Sequence, residues 1–218
     1  MKTDLIMVYN QLLGHFGKQH WWPAKSKGDA KKLEICIGAI LTQNTNWKNV
    51  EKALENLRKN NFLTLEKIRK TDVKIIAQLI KPSGYYNQKS LKIMAFLEFL
   101  EKYPFEELSK IEIKKARELL LNVHGIGKET ADSMLLYALK KPIFIIDAYT
   151  KRAFSRIMPN TSLLKEYDNW QKFFEDNLSK DEKLFNEYHA LIVELGKNFC
   201  QKNPKCNGCP VKACHFGS

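Results

Sequence analysis

Only one stretch of this chain reads as a strand, the four-residue run Ile143-Phe144-Ile145-Ile146, and a single run of that length cannot build a sheet. Elsewhere apolar residues recur at steps of three and four. Trp47, Val50, Ala53, Leu54 and Leu57 follow that period, as do Leu184, Tyr188, Leu191 and Leu195, flanked by Phe185, Ile192 and Phe199. Breakers are sparse and fall between such segments: Pro23, Pro82-Ser83-Gly84, Pro104, Gly125 and Gly127, Pro142 and Pro159. The expected fold class is all-α, with about ten short helices. At 218 residues, 44% of them apolar, the chain is long enough to bury a core without disulfide staples.

Lysine and arginine number 36 against 24 aspartates and glutamates, a net charge of +12. Such an excess points to a polyanionic partner: DNA, RNA or an acidic membrane surface. No apolar run approaches the roughly 18 residues of a membrane span, and the start Met1-Lys2-Thr3-Asp4 lacks a signal-peptide pattern. A reducing cytoplasm is the expected compartment, so the five cysteines need a role other than disulfides. Cys36, inside the apolar stretch 33–41, reads as a core residue. Cys200, Cys206, Cys209 and Cys214 are spaced C-x5-C-x2-C-x4-C. Four thiolates this dense can surround one soft metal centre, and spacing leaves both zinc and a [4Fe–4S] cluster open.

The most informative stretch lies upstream. A helix over roughly residues 113–122 leads into Val123-His124-Gly125-Ile126-Gly127-Lys128, and a second helix follows with Ala131, Met134, Leu135, Ala138 and Leu139 on one face. Gly125 and Gly127 permit close backbone approach. The N–H groups at the start of the new helix, with Lys128 beside them, make a phosphate site. A plain helix–helix turn is the competing reading of the same residues. Twenty residues after Gly127 comes Asp147, directly after the apolar run and ahead of the helical pattern 148–154; by itself it reads as an N-cap.

The stretch Val123 to Ala131 followed by Asp147 resembles the helix-hairpin-helix and downstream catalytic aspartate of the endonuclease III superfamily of DNA glycosylases. The tail from Tyr188 to Cys200, with the three later cysteines, resembles that family's iron–sulfur terminus, one residue short in two of the three gaps. The resemblance implies a two-lobed helix-hairpin-helix glycosylase fold, with residues 31–142 as a central domain and residues 1–30 plus 143–218 as a second lobe. It further implies a cluster loop at 200–214 with the [4Fe–4S] cluster on Cys200, Cys206, Cys209 and Cys214, and duplex DNA containing damaged bases as partner, one nucleotide flipped into a cleft. A monomer at the nucleoid, with no membrane association, is expected.

Family members that also cut the strand carry a lysine nucleophile one residue before the Thr130-Ala131 pair. Here that position holds Glu129, which cannot form a Schiff base. Lys128, one position away, is rotated by about 100°. The expectation is a monofunctional enzyme in which Asp147 stabilises an oxocarbenium-like sugar and directs a water. Trp21-Trp22-Pro23, Trp47, the segment 82–89 and the stretch 125–132 resemble the 3-methyladenine DNA glycosylase III group. That resemblance implies that Trp22 and Trp47 sandwich the base while Trp21 and Glu129 shape its pocket. Gln43 and Tyr85 would enter the gap left by the flipped nucleotide, Tyr85 standing in for a more usual aliphatic residue. Lys89, Lys128, Lys202 and Lys205 would line the DNA-facing rim. An alkylated purine is cationic, and a desolvated indole face attracts a cation by about 2 kcal/mol. Trp170, with no motif around it, reads as core. Competing readings are an endonuclease III-like glycosylase/lyase for oxidised pyrimidines, an adenine glycosylase (disfavoured because the chain stops four residues past Cys214), and a non-catalytic DNA-binding cluster protein.

Overall fold

This computed structural model describes residues 2–212 and 214–216. In chain order the helices are α1 (Lys2–Phe16), α2 (Gly28–Leu41), α3 (Trp47–Lys59), α4 (Leu65–Arg69), α5 (Val73–Leu79), α6 (Tyr86–Lys102), α7 (Phe105–Lys110), α8 (Ile113–Leu121), α9 (Lys128–Ser133), α10 (Ala148–Ile157), α11 (Tyr167–Asn177) and α12 (Glu182–Asn198). Short 3-10 turns occupy Lys81–Ser83 and Pro159–Leu163, and α9 runs on into a π-helical turn, Met134–Ala138. No strand occurs among the described residues, and the fold is all-α. The chain divides into two compact units: residues 22–141, and residues 1–21 with 142–218.

In the unit 22–141, α2 is the central element. Every residue from Leu33 to Leu41 is buried, so this helix is enclosed on all sides rather than amphipathic. Cys36 lies in this core, and burial pushes its thiol far up. Truncating one of these leucines or isoleucines to alanine costs about 2–5 kcal/mol. The single charge in the row is Glu34. Its carboxylate accepts the N–H groups of Lys25 (3.1 Å) and Ser26 (2.9 Å) and the Arg58 guanidinium (2.7 Å). Burial opposes its ionisation, but these donors hold it below its ordinary range. Helix α3 buries Val50, Ala53, Leu54 and Leu57, the face its three-and-four spacing predicts, and starts from Asn46, whose side chain accepts the Asn49 N–H.

The unit of residues 1–21 and 142–218 is built on aromatic packing. Phe144 stacks on Phe174 (4.2 Å, 5°) and meets Phe185 and Tyr188 edge-on, and the Tyr188 hydroxyl donates to the Leu5 carbonyl (2.7 Å), fastening α12 to α1. The run Ile143–Ile146 belongs to no helix or ladder among the described residues. Helix α11 serves its backbone instead: Glu175 Oε1 accepts the Phe144 N–H (2.9 Å), Gln171 Nε2 donates to the Phe144 carbonyl (2.7 Å), and the Tyr167 hydroxyl accepts the Ile146 N–H (3.3 Å). Tyr167, Gln171 and Glu175 are four residues apart and share one helix face. That face explains how a strand-like run is satisfied where no sheet occurs among the described residues. Trp170 is buried, its indole N–H donating to the Leu164 carbonyl (2.7 Å), and is core as expected.

Candidate active site

The hairpin lies in the unit 22–141. Its apolar residues Val123 and Ile126 are buried while His124 and Gly127 are exposed. Gly125 has φ +79°, and a Cβ there would collide with the Lys92 methylenes, so only glycine fits. Gly127 is the N-cap of α9 and has open space around its Cα, leaving room for an approaching group. Lys128 follows, half-buried, and Glu129 is exposed in the first turn. Arg117 on α8 grips Asp132 on α9 in a bidentate pair (2.7 and 3.1 Å), with Asp132 fully buried. This rivet between the hairpin's helices involves Arg117, which no sequence motif singles out.

Gln43 is tied to the hairpin. Its amide donates to the Gly125 carbonyl and to Thr130 Oγ1 (both 3.1 Å), and its oxygen accepts the Lys92 ammonium (2.6 Å). Tyr85 is 65% exposed and left-handed (φ +46°), directly ahead of α6. An exposed aromatic on strained backbone suits a wedge rather than a packing residue. Lys89 departs from expectation. It is 2% exposed, with its ammonium donating to the Leu41 and Ser83 carbonyls (2.8 Å each), and so does not line a rim. Burial, and then the neighbouring Lys92, lower it to about 8.

Trp22 and Trp47 meet in the same unit, joined by Tyr137 from the π-helical turn. Trp22 contacts Trp47 edge-to-face (5.2 Å, 83°) and lies 5.3 Å from Tyr137. A Cβ on Gly38 would come within 2.9 Å of the Trp22 ring, so this glycine gives the indole its seat. With no base between them, the two rings are not arranged as the expected sandwich would hold them. A base between two indoles needs them parallel and roughly 7 Å apart, two contact distances, whereas these rings touch each other. The π turn, with the Leu139 N–H reaching back to the Met134 carbonyl, buries five consecutive residues and delivers Tyr137 to the group.

Asp147 lies in the other unit, as the N-cap of α10. Its Oδ1 accepts both the backbone N–H (2.7 Å) and the hydroxyl (2.8 Å) of Thr150, while Oδ2 stands 3.6 Å from His189 Nε2 on α12. Burial disfavours its charge, but His189 and the Thr150 donors outweigh this and hold the carboxyl below its usual range. The N-terminus of α10 acts in the same direction. Trp21 packs edge-on to the His189 ring (6.1 Å), and Lys197 lies 5.6 Å from the Trp21 centroid. His189 was legible only as a member of the quoted tail; nothing local to it announces a carboxylate partner 42 positions away.

The cysteine tail is fastened to α10 by two arginines one turn apart. Arg152 donates to the Cys200 and Gly196 carbonyls (2.7 and 3.3 Å), and Arg156 to the Gln201 and Lys202 carbonyls (2.7 and 3.0 Å) and to the Cys200 sulfur (3.3 Å). Cys214 Sγ lies 3.7 Å from the Arg156 carbonyl. Burial raises Cys209, and the other three thiols are near enough to push it further. Among the described residues no three histidine, cysteine or acidic side chains converge as a single metal ion would require. A zinc ion draws its sulfurs to about 2.3 Å from one point. Four cysteine thiolates are a donor set that either a zinc ion or a four-iron cluster takes. Lys202 and Lys205 are exposed on the loop.

Residues 37–180 match the family described as the HhH-GPD superfamily base excision DNA repair protein. The chain belongs to this superfamily. It is 45% identical over 216 residues to a Methanocaldococcus jannaschii protein whose name assigns it provisionally to the DNA repair glycosylases, covering 97% of this chain and 96% of that one. The Helicobacter pylori 3-methyladenine DNA glycosylase structure with bound 1,N6-ethenoadenine is 28% identical (TM-score 0.68), covering 89% of this chain and 97% of that one. A non-covalent endonuclease III–DNA complex shares the fold at 18% identity (TM-score 0.81), covering 100% of this chain and 96% of the other. The protein is thus an HhH-GPD DNA glycosylase of base excision repair.

Proposed function

We propose that this glycosylase is monofunctional and removes alkylated, positively charged purines, of which 3-methyladenine is the type and 7-methylguanine a candidate, from duplex DNA. The observation that carries this reading is the aromatic group Trp22, Trp47 and Tyr137, with Glu129 at the hairpin position where a lyase needs its lysine. Indole and phenol faces stack on any base and attract a cationic ring more strongly than a neutral one. Trp22 is seated against Gly38, so Trp47, at the first position of α3, is the ring we assign to turn aside when a base enters. Glu129 borders the pocket in this reading. The likeness to the Helicobacter pylori enzyme supports the same substrate class.

The chemistry asked of Asp147 is mainly electrostatic. A carboxyl held below its usual range is a weak base but a permanent anion, suited to stabilising positive charge on the sugar as the glycosidic bond lengthens. The bond's electron pair leaves with the base, which departs neutral because it began as a cation. Water then bonds to the anomeric carbon and releases its proton to solvent, and Oδ2, the oxygen that Thr150 does not occupy, is the atom we assign to orient it. Backbone N–H groups of the hairpin, with Lys128, would hold a phosphate, and Gln43 and Tyr85 would fill the gap behind the flipped nucleotide. Cys200, Cys206, Cys209 and Cys214 would hold a [4Fe–4S] cluster. When bound it ties the loop at four points, so that Lys202 and Lys205 are presented to DNA in a fixed arrangement.

The test is to incubate the protein with methylated DNA and identify the bases released. Free 3-methyladenine, from strands left uncut until alkali is added, is the expected result. Cleavage at thymine glycol, with a covalent adduct trapped on abasic DNA by borohydride, would instead support the lyase chemistry associated with endonuclease III.

A further inference from the structure

Lys89 is a buried lysine that the proposed reaction does not use. Taking an ammonium out of water costs several kcal/mol unless it is paired, and among the described residues no carboxylate pairs with it. An apolar side chain would fill the same space more cheaply, so its reason for being there has to be found in the two bonds it makes.

Those bonds are specific in what they join. Leu41 is the last residue of α2, and Ser83 the last of the 3-10 turn ahead of α6. Both carbonyls are helix-end acceptors that lack the next turn's donor. Lys89 Nζ donates to each at 2.8 Å. Gln43 lies two residues past Leu41, and Tyr85 two residues past Ser83. One turn further along α6, Lys92 holds the Gln43 side-chain oxygen (2.6 Å) and lays its methylenes against Gly125. Backbone and side chain of the Gln43 loop are thus gripped from one helix. Tyr85 is left-handed without being glycine, a conformation that persists only when its surroundings impose it.

We propose that Lys89 is a positioning residue for DNA engagement: it locks the loop carrying Gln43 to the loop carrying Tyr85, so that the two side chains enter the duplex as one rigid pair. This rests on the reading that Gln43 and Tyr85 insert into DNA.

The test separates insertion from both chemistry and folding. A duplex carrying a tetrahydrofuran abasic site with 2-aminopurine opposite it reports side chains entering the gap through its fluorescence. Lys89→Met keeps length and bulk but removes the donors, so relief of a desolvated charge is set against two carbonyls left unpaired. The expected result is that Lys89→Met still folds cooperatively, binds this duplex within about twofold by anisotropy, and loses most of the fluorescence change. Lys89→Met with the full fluorescence change overturns the clamp. Gln43→Ala and Tyr85→Ala, run alongside, test the reading beneath it. If both keep the full change, insertion itself is wrong and the proposal falls with it; if both lose it while Lys89→Met does not, only the clamp is wrong. Should Lys89→Met fail to fold, Lys89→Gln, which keeps an amide donor for only part of the bridge, decides by the same loss or retention.

Discussion

Asp147, in the unit of residues 1–21 and 142–218, and Lys89, in the unit 22–141, are both charged groups taken out of water, and their surroundings move them in opposite directions. Asp147 receives two Thr150 donors and faces an imidazole, so its charge is favoured despite burial. Lys89 meets two neutral carbonyls and a neighbouring cation, so its charge is disfavoured. Opposite charge and ionic hydrogen bonds compensate desolvation, whereas dipoles alone compensate it only in part. The first environment preserves a charge for use, and the second spends stability to fix the geometry of two loops.

The largest effect expected from breaking this contrast is on the acidic side. Asp147→Asn keeps a cap for α10 but removes the charge, and should lower single-turnover base release by about a thousandfold while leaving DNA binding largely intact in a filter-binding measurement. His189→Phe sharpens the same point. Without the imidazole the Asp147 carboxyl rises toward its ordinary range, so the acid limb of the rate–pH profile should move to higher pH, with the rate near pH 7, where the carboxyl stays ionised, changed far less than at acid pH. An unchanged acid limb would remove His189 from the account. The stability consequence has a definite sign. A carboxyl depressed in the folded state stabilises it above the ordinary carboxylate pKa, and that contribution is lost as pH falls through the folded value. The variant should therefore gain less stability than wild type between acid and neutral pH.

Lys89 predicts the reverse slope. Its folded value of about 8 lies below the unfolded value, so the unfolded chain binds the proton more readily and the charged lysine weakens the fold at neutral pH. That penalty should fade as pH rises from about 8 to about 10.4, the ordinary lysine value. In urea titrations the stability of wild type relative to Lys89→Met should climb across this window, and a flat difference would mean that the ammonium is not desolvated in solution. The smallest effects belong to charges that were never buried. Lys202→Ala and Lys205→Ala should each reduce the salt dependence of DNA binding by about one counterion and leave stability unchanged.

The hairpin was legible in the sequence because its signals are local. Gly125 and Gly127 sit on a break in helical periodicity, and Ala131, Met134, Leu135, Ala138 and Leu139, the face that the spacing predicts, are all buried, with Leu136 and Tyr137 buried beside them. The π turn was not legible, since a five-residue buried run reads the same in either helix type until the Leu139 N–H is seen to reach Met134. Neither was the orientation of Trp22 against Trp47, which depends on a seat provided by Gly38 on another helix. Lys89 and Lys92 look equivalent in sequence, one turn apart on the same helix. One is buried under two carbonyls and the other reaches the hairpin, because the loops that cover α6 come from elsewhere in the chain.

The sequence by itself determined the helical class, the hairpin, Asp147 as an N-cap directly after an apolar run, and the four-cysteine tail, since periodicity, glycine punctuation and residue spacing act within a few turns of chain. Only the tertiary structure decided that Asp147 stands 3.6 Å from His189 and that Lys89 bridges Leu41 to Ser83. A charge's behaviour is set by the groups that replace its water, and those groups are brought to it by folding from positions that local pattern does not connect.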